Sequence, residues 1–189
     1  MSHIDIRPVT PSRWEDLVAL FGPSGAYSGC WCMWFRQSAA DFSAKAGAPN
    51  RRALKTLVDG RKVPGLLAYV DSTPAGWISV APRAQFPRVE RSPISKPIDD
   101  EPAWSIVCLF IAKAFRNQGL GHALVHGAVD FARRKGARVI EAYPIDLEHK
   151  SRVVPAAELY VGTLALFEKA GFEVVERRKE ARPIVRLYV

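Results

Sequence analysis

The stretch Trp104–Leu124, WSIVCLFIAKAFRNQGLGHAL, decides the fold that we predict for this chain. Its first part, Ile106–Ala112, is continuously apolar and contains no proline or glycine, which is typical of a strand buried on both faces. From Leu120 onward the apolar residues recur at helical spacing, which predicts an amphipathic helix. A basic turn that contains glycine joins the strand to the helix.

This turn has the composition of an anion-binding site. Gly119 and Gly121 lack the side chains that would keep a phosphate away from the backbone amides. Amides at a helix start have no partner within the helix, and the helix dipole favours negative charge there. We therefore expect a phosphate or pyrophosphate at the turn. Glycines chosen only for tight packing are the alternative, because the motif is short.

Two motifs in this chain resemble those of one enzyme family. Arg116, Gly119 and Gly121 match the Q/R-x-x-G-x-G/A signature of the GCN5-related N-acetyltransferase (GNAT) superfamily, between a strand and a helix. The later segment Leu166–Phe172, LFEKAGF, resembles the L-Y-x-x-x-G-F segment of the same family. Two motifs in the right order are far less expected by chance than either one alone. The common nucleotide loops G-x-x-x-x-G-K-[ST] and G-x-G-x-x-G are not matched.

The resemblance implies a fold and a ligand. The fold is of the α/β (α+β) class, with helices flanking a mixed, mostly antiparallel central sheet of about seven strands in a single domain over residues 1–189. In this family the turn amides hold the pyrophosphate of coenzyme A and the preceding strand binds the pantetheine arm, so acetyl-CoA is the expected acyl donor. The cofactor-binding residues so implied are Leu109, Phe110, Ile111, Arg116, Asn117, Gln118, Gly119, Leu120, Gly121, His122 and Phe167.

The remaining patterns agree with a sheet that is antiparallel up to this strand. Two apolar runs, Leu66–Val70 and Ala75–Val80, flank a turn signal and predict a hairpin. Other predicted strands are Ile4–Pro8, Val139–Ile145, Phe172–Arg177 and Ile184–Val189, and other predicted helices are Thr10–Gly22, Arg51–Asp59 and Ala156–Ala170.

The composition fits one folded domain in a reducing compartment. Of the 189 residues, 48% are hydrophobic, which is enough for a full core. Three cysteines, an odd number, give no disulfide framework. The start of the chain, MSHIDIRPVT, lacks the pattern of a secretory signal, and the apolar segments are short. We therefore expect a cytoplasmic protein without a membrane partner.

The net charge of +8 is compatible with nucleic acid, an anionic ligand or solubility alone. Lysine and arginine are scattered along the chain, and no recognisable motif for reading DNA or RNA accompanies them. Nucleic-acid binding is therefore disfavoured. A cofactor with several phosphates accounts for positive charge near the turn, although not for the whole surplus.

The segment 22–37, GPSGAYSGCWCMWFRQ, is rich in aromatic residues and cysteine. A metal site at Cys30 and Cys32 is disfavoured, because no second pair of ligands follows. A packed aromatic cluster is the simpler interpretation. The alternative is an acceptor pocket, for which Tyr27, Trp31 and Trp34 are the candidate substrate-binding residues.

The segment 81–103 is rich in proline and predicts a long loop insertion without an extended regular element. A loop of this size in a compact domain is either functional or disordered. We expect a lid or rim on the acceptor side. A solvated surface insertion is an equal alternative.

The sequence identifies the catalytic groups less clearly than the turn that is expected to bind the cofactor. Acyl transfer to an amine needs a proton for the leaving thiolate, and the family tyrosine that supplies it is replaced by Phe167, which cannot donate one. Tyr160 is the candidate acid if it shares a helix face with Phe167, with water or the free thiolate as alternatives. Glu141 is the candidate base, unless it is solvated or paired with arginine. Cys108 is disfavoured as a nucleophile because no base is visible beside it.

These observations predict an acyl-CoA-dependent N-acyltransferase that acetylates an amine of a small molecule or peptide by direct transfer in a ternary complex. The alternative is a noncatalytic acyl-CoA-binding regulatory module, which the replacement of the family tyrosine favours. The sequence does not identify the amine acceptor. It does not set the oligomeric state either, and a homodimer is left open.

Overall fold

A central sheet organises the fold. The computed structural model describes residues 3–189. Its strands are β1 (Ile4–Pro8), β2 (Gly65–Val70), β3 (Thr73–Pro82), β4 (Ala103–Ile111), β5 (Val139–Ala142), β6 (Glu173–Glu176) and β7 (Ile184–Tyr188). Within the described residues they form one seven-stranded sheet in the order β1-β2-β3-β4-β5-β7-β6, in which β4 and β5 are parallel and the other neighbours antiparallel. The predicted mixed, mostly antiparallel sheet is confirmed.

Helices cover both faces of this sheet. The α-helices are α1 (Trp14–Phe21), α2 (Ala39–Ala44), α3 (Ala48–Asp59), α4 (Pro87–Arg91), α5 (Leu120–Arg134) and α6 (Leu164–Glu168). Short 3-10 helices span Pro11–Arg13, Arg83–Gln85, Lys113–Phe115 and Ala156–Val161. Between residues 3 and 189, no helix has the length and apolar character that crossing a bilayer requires.

The core lies on both sides of β3, because consecutive side chains of a strand point to opposite faces. Ile78 is fully buried in one cluster with Leu120 and Leu124 of α5. Trp77 is fully buried in a second cluster with Leu17 of α1. Burial on both faces explains why the strands of this region have continuous apolar sequences instead of alternating ones.

The parallel pair β4–β5 is short, and the two strands separate beyond it. The ladder ends at the pair Ile106 and Ala142. β4 runs on to Ile111, whereas in the described part of the chain the segment after Ala142 makes one isolated bridge, from Ile145 to Thr163. The predicted strand Val139–Ile145 is therefore too long, and a gap opens beside the end of β4.

The helix predicted for Ala156–Ala170 is wrong. The chain forms the 3-10 helix Ala156–Val161 and then α6, with Gly162 and Thr163 between them. Gly162 has a φ of 77°, a left-handed conformation that favours glycine. Thr163 caps α6, because its hydroxyl accepts a hydrogen bond from the Leu166 amide at 3.4 Å.

At this interruption the chain is hydrogen-bonded to the segment that follows β5. The Ile145 amide donates to the Gly162 carbonyl at 2.9 Å, and the Leu164 amide donates to the Ile145 carbonyl at 2.8 Å. The two helices consequently have separate axes. The shared helix face that suggested Tyr160 from its spacing to Phe167 does not exist.

The predicted irregular segment 81–103 is more ordered than expected. Its ends belong to β3 and β4, and its middle holds the 3-10 helix Arg83–Gln85 and α4. α4 is only five residues long, so the prolines do prevent an extended element. Phe86 and Val89 are fully buried in a cluster with Val107 of β4. The interpretation as a solvated insertion is wrong for this part of the segment.

Replacement of Phe86 by alanine tests this anchoring. We expect Phe86→Ala to lower the free energy of unfolding by about 3–5 kcal/mol, because it leaves a cavity in a packed cluster. Urea denaturation followed by tryptophan fluorescence measures the change. The control Val153→Ala removes methyl groups from a side chain that is 92% exposed, so its expected effect is below about 0.5 kcal/mol. Similar values for the two variants would contradict the anchoring.

Candidate active site

A cleft of about 890 Å³, here called the main cleft, occupies the gap beside the end of β4. Its walls are the end of β4, the turn before α5, the first turn of α5, the 3-10 helix Ala156–Val161 and α6. The predicted cofactor-binding residues that line it are Leu109, Phe110, Ile111, Arg116, Asn117, Gly119, Leu120, Gly121 and His122. The structure therefore brings together residues from both sides of the turn.

Gln118 and Phe167 do not line the main cleft. The Gln118 side chain turns back and donates from Nε2 to the Ala114 carbonyl at 2.9 Å. Phe167 is fully buried and packs edge-on against Phe172, with ring centroids 5.2 Å apart. The ring of Phe167 is thus part of the core, and the Nε2 of Gln118 is engaged with the backbone.

The turn before α5 presents unpartnered backbone donors. Among residues 3–189, no hydrogen-bond partner is found for the amides of Gln118, Gly119, Leu120 and Gly121. Gly119 caps the helix with a φ of 79°, and a side chain added there would meet nothing within 4 Å. Four free amides beside open space at the start of a long helix form an anion cradle.

The charges around this cradle also favour an anion. The first turn of α5 contains no acidic residue. Arg116 is held in place because its Nε donates to the Ile111 carbonyl at 3.1 Å. Lys169 also lines the main cleft, and no carboxylate is found among the described residues that line it. The charged side chains that phosphate groups would meet in this cleft are therefore positive.

β4 contributes a free backbone edge to the main cleft. On one side it remains paired with β3 as far as Ile111. On the other side its ladder with β5 ends at Ile106, so the amides and carbonyls that follow face the gap. An extended ligand with amide groups can pair with such an edge in the way that another strand would.

A second cavity of about 570 Å³, here called the side pocket, adjoins the main cleft. It is lined by Trp34 and Phe35, by α4 and the turn that follows it to Ser95, and by Arg182. Tyr160 lines both cavities. The structure thus places this tyrosine where they meet, although the helical spacing that suggested it is absent.

The environment of Tyr160 keeps its phenol protonated. Burial raises the pKa of Tyr160 above its ordinary value, and the opposing effects of the Arg182 and Arg88 guanidiniums are smaller. Its ring packs against the Phe35 ring in a tilted arrangement, with ring centroids 6.2 Å apart. A phenol that stays protonated can act as a proton donor, and its residue lines both cavities.

Glu141 lies in a buried ion-pair network, outside both cavities. Its carboxylate accepts from Arg83 Nη1 at 3.2 Å, from Arg186 Nε at 2.9 Å and from the Tyr143 hydroxyl at 2.9 Å. Arg186 also pairs with Asp99 at 2.6 Å. The alternative of arginine pairing is the one that the geometry supports, and a base role for Glu141 is contradicted because no amine can reach it.

The three candidate aromatic residues lie in different places. Tyr27 is 62% exposed and lines the main cleft. Trp34 lines the side pocket. Trp31 is buried against Trp14 and Phe21 in the core, with ring centroids 6.1 and 5.7 Å away. The packed-cluster interpretation therefore suits Trp31, which lines neither of these two cavities, and the pocket interpretation suits Trp34.

Cys32 is buried, whereas Cys30 and Cys108 are partly buried. Trp77 donates from its indole Nε1 to the Cys32 sulfur at 3.1 Å. Its hydrogen bond to Cys32 and its burial raise the pKa of the Cys108 thiol well above its ordinary value. A thiol that stays protonated is a poor nucleophile, which agrees with the expectation that Cys108 does not carry the acyl group.

Sequence reasoning missed the arginines of the side pocket. Arg88 lies in α4 and Arg182 precedes β7, and the two line the same cavity with Arg91. No local motif contains them, because the fold brings together parts of the chain that are far apart. The only available signal was that Arg88 falls within the segment expected to form the rim of the acceptor side.

The profile of the Acetyltransferase (GNAT) family matches residues 31–172, which is well over half of the chain. The chain therefore belongs to this family, as the two motifs predicted. The match spans β2 to β5, the cradle and α6. Membership supports acyltransferase activity and the binding of a coenzyme A thioester.

Solved structures with the same fold cover nearly all of the chain. PaiA N-acetyltransferase from Thermoplasma acidophilum, in complex with coenzyme A, is 16% identical, with 99% of each chain covered and a TM-score of 0.55. A GNAT-family acetyltransferase from Listeria monocytogenes is 10% identical, covers 98% of this chain and 95% of its own, and has a TM-score of 0.59. The mosquito arylalkylamine N-acetyltransferase like 5b is 12% identical, with 99% and 100% covered and a TM-score of 0.57. No curated protein matches by sequence.

Replacement of Gly119 by glutamate tests the cradle. We expect Gly119→Glu to weaken coenzyme A binding at least about 100-fold, because a carboxylate would occupy the space of a phosphate among the free amides. Isothermal titration calorimetry with coenzyme A measures the affinity.

A matched control for this variant is Gly136→Glu. Gly136 also has a positive φ, of 87°, and open space around it, but it follows the far end of α5. Both variants carry the same backbone strain, and Gly136→Glu should keep its affinity within about twofold. Equal affinities for Gly119→Glu and the unaltered protein would show that the turn is not the cradle.

Replacement of Glu141 by glutamine tests the structural role of its carboxylate. We expect the free energy of unfolding to fall by about 3–5 kcal/mol, because buried Arg83 and Arg186 lose their shared charge partner. The affinity for coenzyme A should be unchanged. As a control, Glu158→Gln removes the half-exposed partner of Arg152 and should cost less than about 1 kcal/mol. Equal losses in denaturant titrations would contradict the buried network.

Proposed function

We propose that this protein transfers the acetyl group of acetyl-CoA directly to an amine of a small molecule or peptide, in a complex that holds both substrates. One observation carries the proposal: a cleft with an anion cradle meets a second cavity at a half-buried, protonated tyrosine. The arrangement provides separate places for donor and acceptor with a proton donor between them. Membership of the acetyltransferase family supports the reaction type.

The main cleft fits the acyl donor in charge and in backbone chemistry. The four free amides from Gln118 to Gly121, with Arg116 beside them, would hold the pyrophosphate. The free edge of β4 at Leu109–Ile111 would pair with the amide groups of the pantetheine arm. When bound, acetyl-CoA supplies an activated acyl group.

The chemical step needs two proton movements. The amine nitrogen forms a bond to the acyl carbon and loses a proton, while the carbon–sulfur bond breaks and the thiolate gains one. Tyr160 donates the proton to the thiolate in this proposal, since its raised pKa keeps the phenol protonated at neutral pH. No carboxylate or histidine is found among the described residues that line the side pocket, so the amine proton passes to water.

A noncatalytic acyl-CoA-binding module is the second candidate. The replacement of the family tyrosine by Phe167 favours it, because that ring is buried and carries no hydroxyl. The two candidates share the cradle and differ in turnover. Incubation with acetyl-CoA and a panel of primary amines, followed by detection of free thiol, separates them. Release supports the transferase, binding without release supports the module, and absence of both overturns the assignment of the cleft.

Replacement of Tyr160 by phenylalanine tests the proton donor. We expect Tyr160→Phe to lower kcat about 100-fold, the usual contribution of a general acid, with the affinity for coenzyme A unchanged. Thiol release gives kcat and calorimetry gives the affinity. The control Tyr188→Phe removes a hydroxyl from a side chain that is 67% exposed on β7, outside both cavities, and should change kcat less than about twofold. Equal rates for Tyr160→Phe and the unaltered protein would remove Tyr160 from the mechanism.

A further inference from the structure

The side pocket is lined by three arginines and by no acidic residue within the described part of the chain. Arg88, Arg91 and Arg182 line it, and no aspartate or glutamate is found among its described lining residues. The remaining walls include the aromatic rings of Trp34 and Phe35. Three guanidiniums around one small cavity repel one another unless a negative charge compensates them.

Arg88 is held in place, and one of its nitrogens is buried without a hydrogen-bond partner in the described residues. Its Nε donates to the Trp34 carbonyl at 2.6 Å, and its guanidinium lies 3.7 Å from the centroid of the Trp34 ring. Its Nη2 is buried, and no partner for it is found within residues 3–189. A buried donor of this kind costs about 1–3 kcal/mol if it stays unpaired.

Arg182 and Gln37 also have buried polar atoms for which residues 3–189 provide no hydrogen-bond partner. Arg182 donates from Nη2 to the Tyr143 carbonyl at 3.3 Å, while its Nε is buried without a partner among the described residues. Gln37, which also lines the pocket, has a buried Oε1, an acceptor, without a partner in the described part of the chain. In residues 3–189, five buried side-chain polar atoms lack a hydrogen-bond partner, and three of them belong to residues that line this pocket. Unsatisfied polar groups are therefore concentrated where a ligand would bind.

The two most deeply buried arginines among residues 3–189 are paired with carboxylates. Arg83 binds Glu141 and Glu90, and Arg186 binds Glu141 and Asp99. Arg36, which lies outside the side pocket, instead donates to the Gln85 side chain and the Pro64 carbonyl.

Arg88 and Arg182 differ from Arg83 and Arg186, because no carboxylate partner for them is found in residues 3–189. Burial lowers the pKa of each guanidinium, and the neighbouring Tyr160, not a carboxylate, opposes the effect. Two half-buried cations beside a tyrosine lack the anion that would stabilise them.

We propose that the side pocket binds an anionic group of the acceptor, so that the acceptor is a small amine that also carries a carboxylate or a phosphonate. The inference rests on the proposed transferase function and names its substrate class. Arg88 and Arg182 would take the anion through charge-assisted hydrogen bonds, and Arg91 would add attraction from the exposed rim. The amine at the other end of the molecule would then point past Tyr160 to the main cleft.

Matched pairs of amines test this specificity in the unaltered protein. The pairs are phenylalanine with 2-phenylethylamine, glycine with methylamine, and 2-aminoethylphosphonate with ethylamine. We expect kcat/KM for the anionic member to exceed that of its neutral partner at least about tenfold in one or more pairs, as charge-assisted bonds predict. Neutral members that react as well as or better than the anionic ones in every pair would overturn the proposal and leave the transferase function standing.

Two variants locate the effect. Arg88→Gln and Arg182→Gln should each raise KM for the preferred anionic amine at least about tenfold, while KM for acetyl-CoA stays the same. The control Arg133→Gln changes an exposed arginine of α5 that pairs with Asp130, and should leave both constants within about twofold. An unchanged KM in both pocket variants would assign the specificity to another site and overturn the proposal.

A binding measurement separates this proposal from the transferase function. N-acetylphenylalanine and N-acetyl-2-phenylethylamine differ only in the carboxylate, and each can be titrated by calorimetry in the presence of coenzyme A. Binding of the former alone, lost in Arg88→Gln, supports the anion pocket even if no amine releases thiol. Equal binding of the two, or binding of neither, overturns it.

Discussion

The early end of the parallel ladder between β4 and β5 is the constraint on which the rest of this structure depends. Pairing stops at Ile106 and Ala142, while β4 continues to Ile111 beside β3. The backbone beyond that point has no strand to pair with on one side, so it is available to an extended ligand. The same separation leaves room for the start of α5 to face the gap with its free amides. A longer ladder would close the cleft and cover the edge that borders it.

Two further features hold the separated strands in place. The bridge from Ile145 to Thr163 fixes the segment after β5 to the chain that follows the 3-10 helix of Tyr160. Glu141 stands one residue before the end of the ladder. Its carboxylate joins Arg83 of the segment after β3 to Arg186 of β7. A buried charge network of this kind is costly to desolvate, and its removal leaves unpaired cations. Its position suggests why an acidic residue stands in an otherwise apolar strand.

The predictions failed where a second signal in the same segment, or a contact with a distant part of the chain, outweighed the local pattern. The segment Ala156–Ala170 has helical spacing, but Gly162 and Thr163 carry the signals of a left-handed break followed by a new N-cap. The segment 81–103 reads as irregular because of its prolines, yet Phe86 anchors it in the core. Burial of that ring depends on neighbours from β4 and the segment after β5, which are not visible in the local sequence. Glu141 was ambiguous for the same reason, since its arginine partners lie far away along the chain.

The sequence by itself determined the strand, the turn and the helix that form the anion cradle, together with the sheet class and the family. Those features are local, because the glycines, the apolar run and the helical period act on the backbone within a few residues. The tertiary structure alone decided that Tyr160 lies between two cavities, that Glu141 is sequestered from both, and that Arg88 and Arg182 meet in one pocket. Side chains from distant segments become neighbours only when the strands pair and separate, so their partners, and hence their chemistry, cannot be derived from their spacing in the chain.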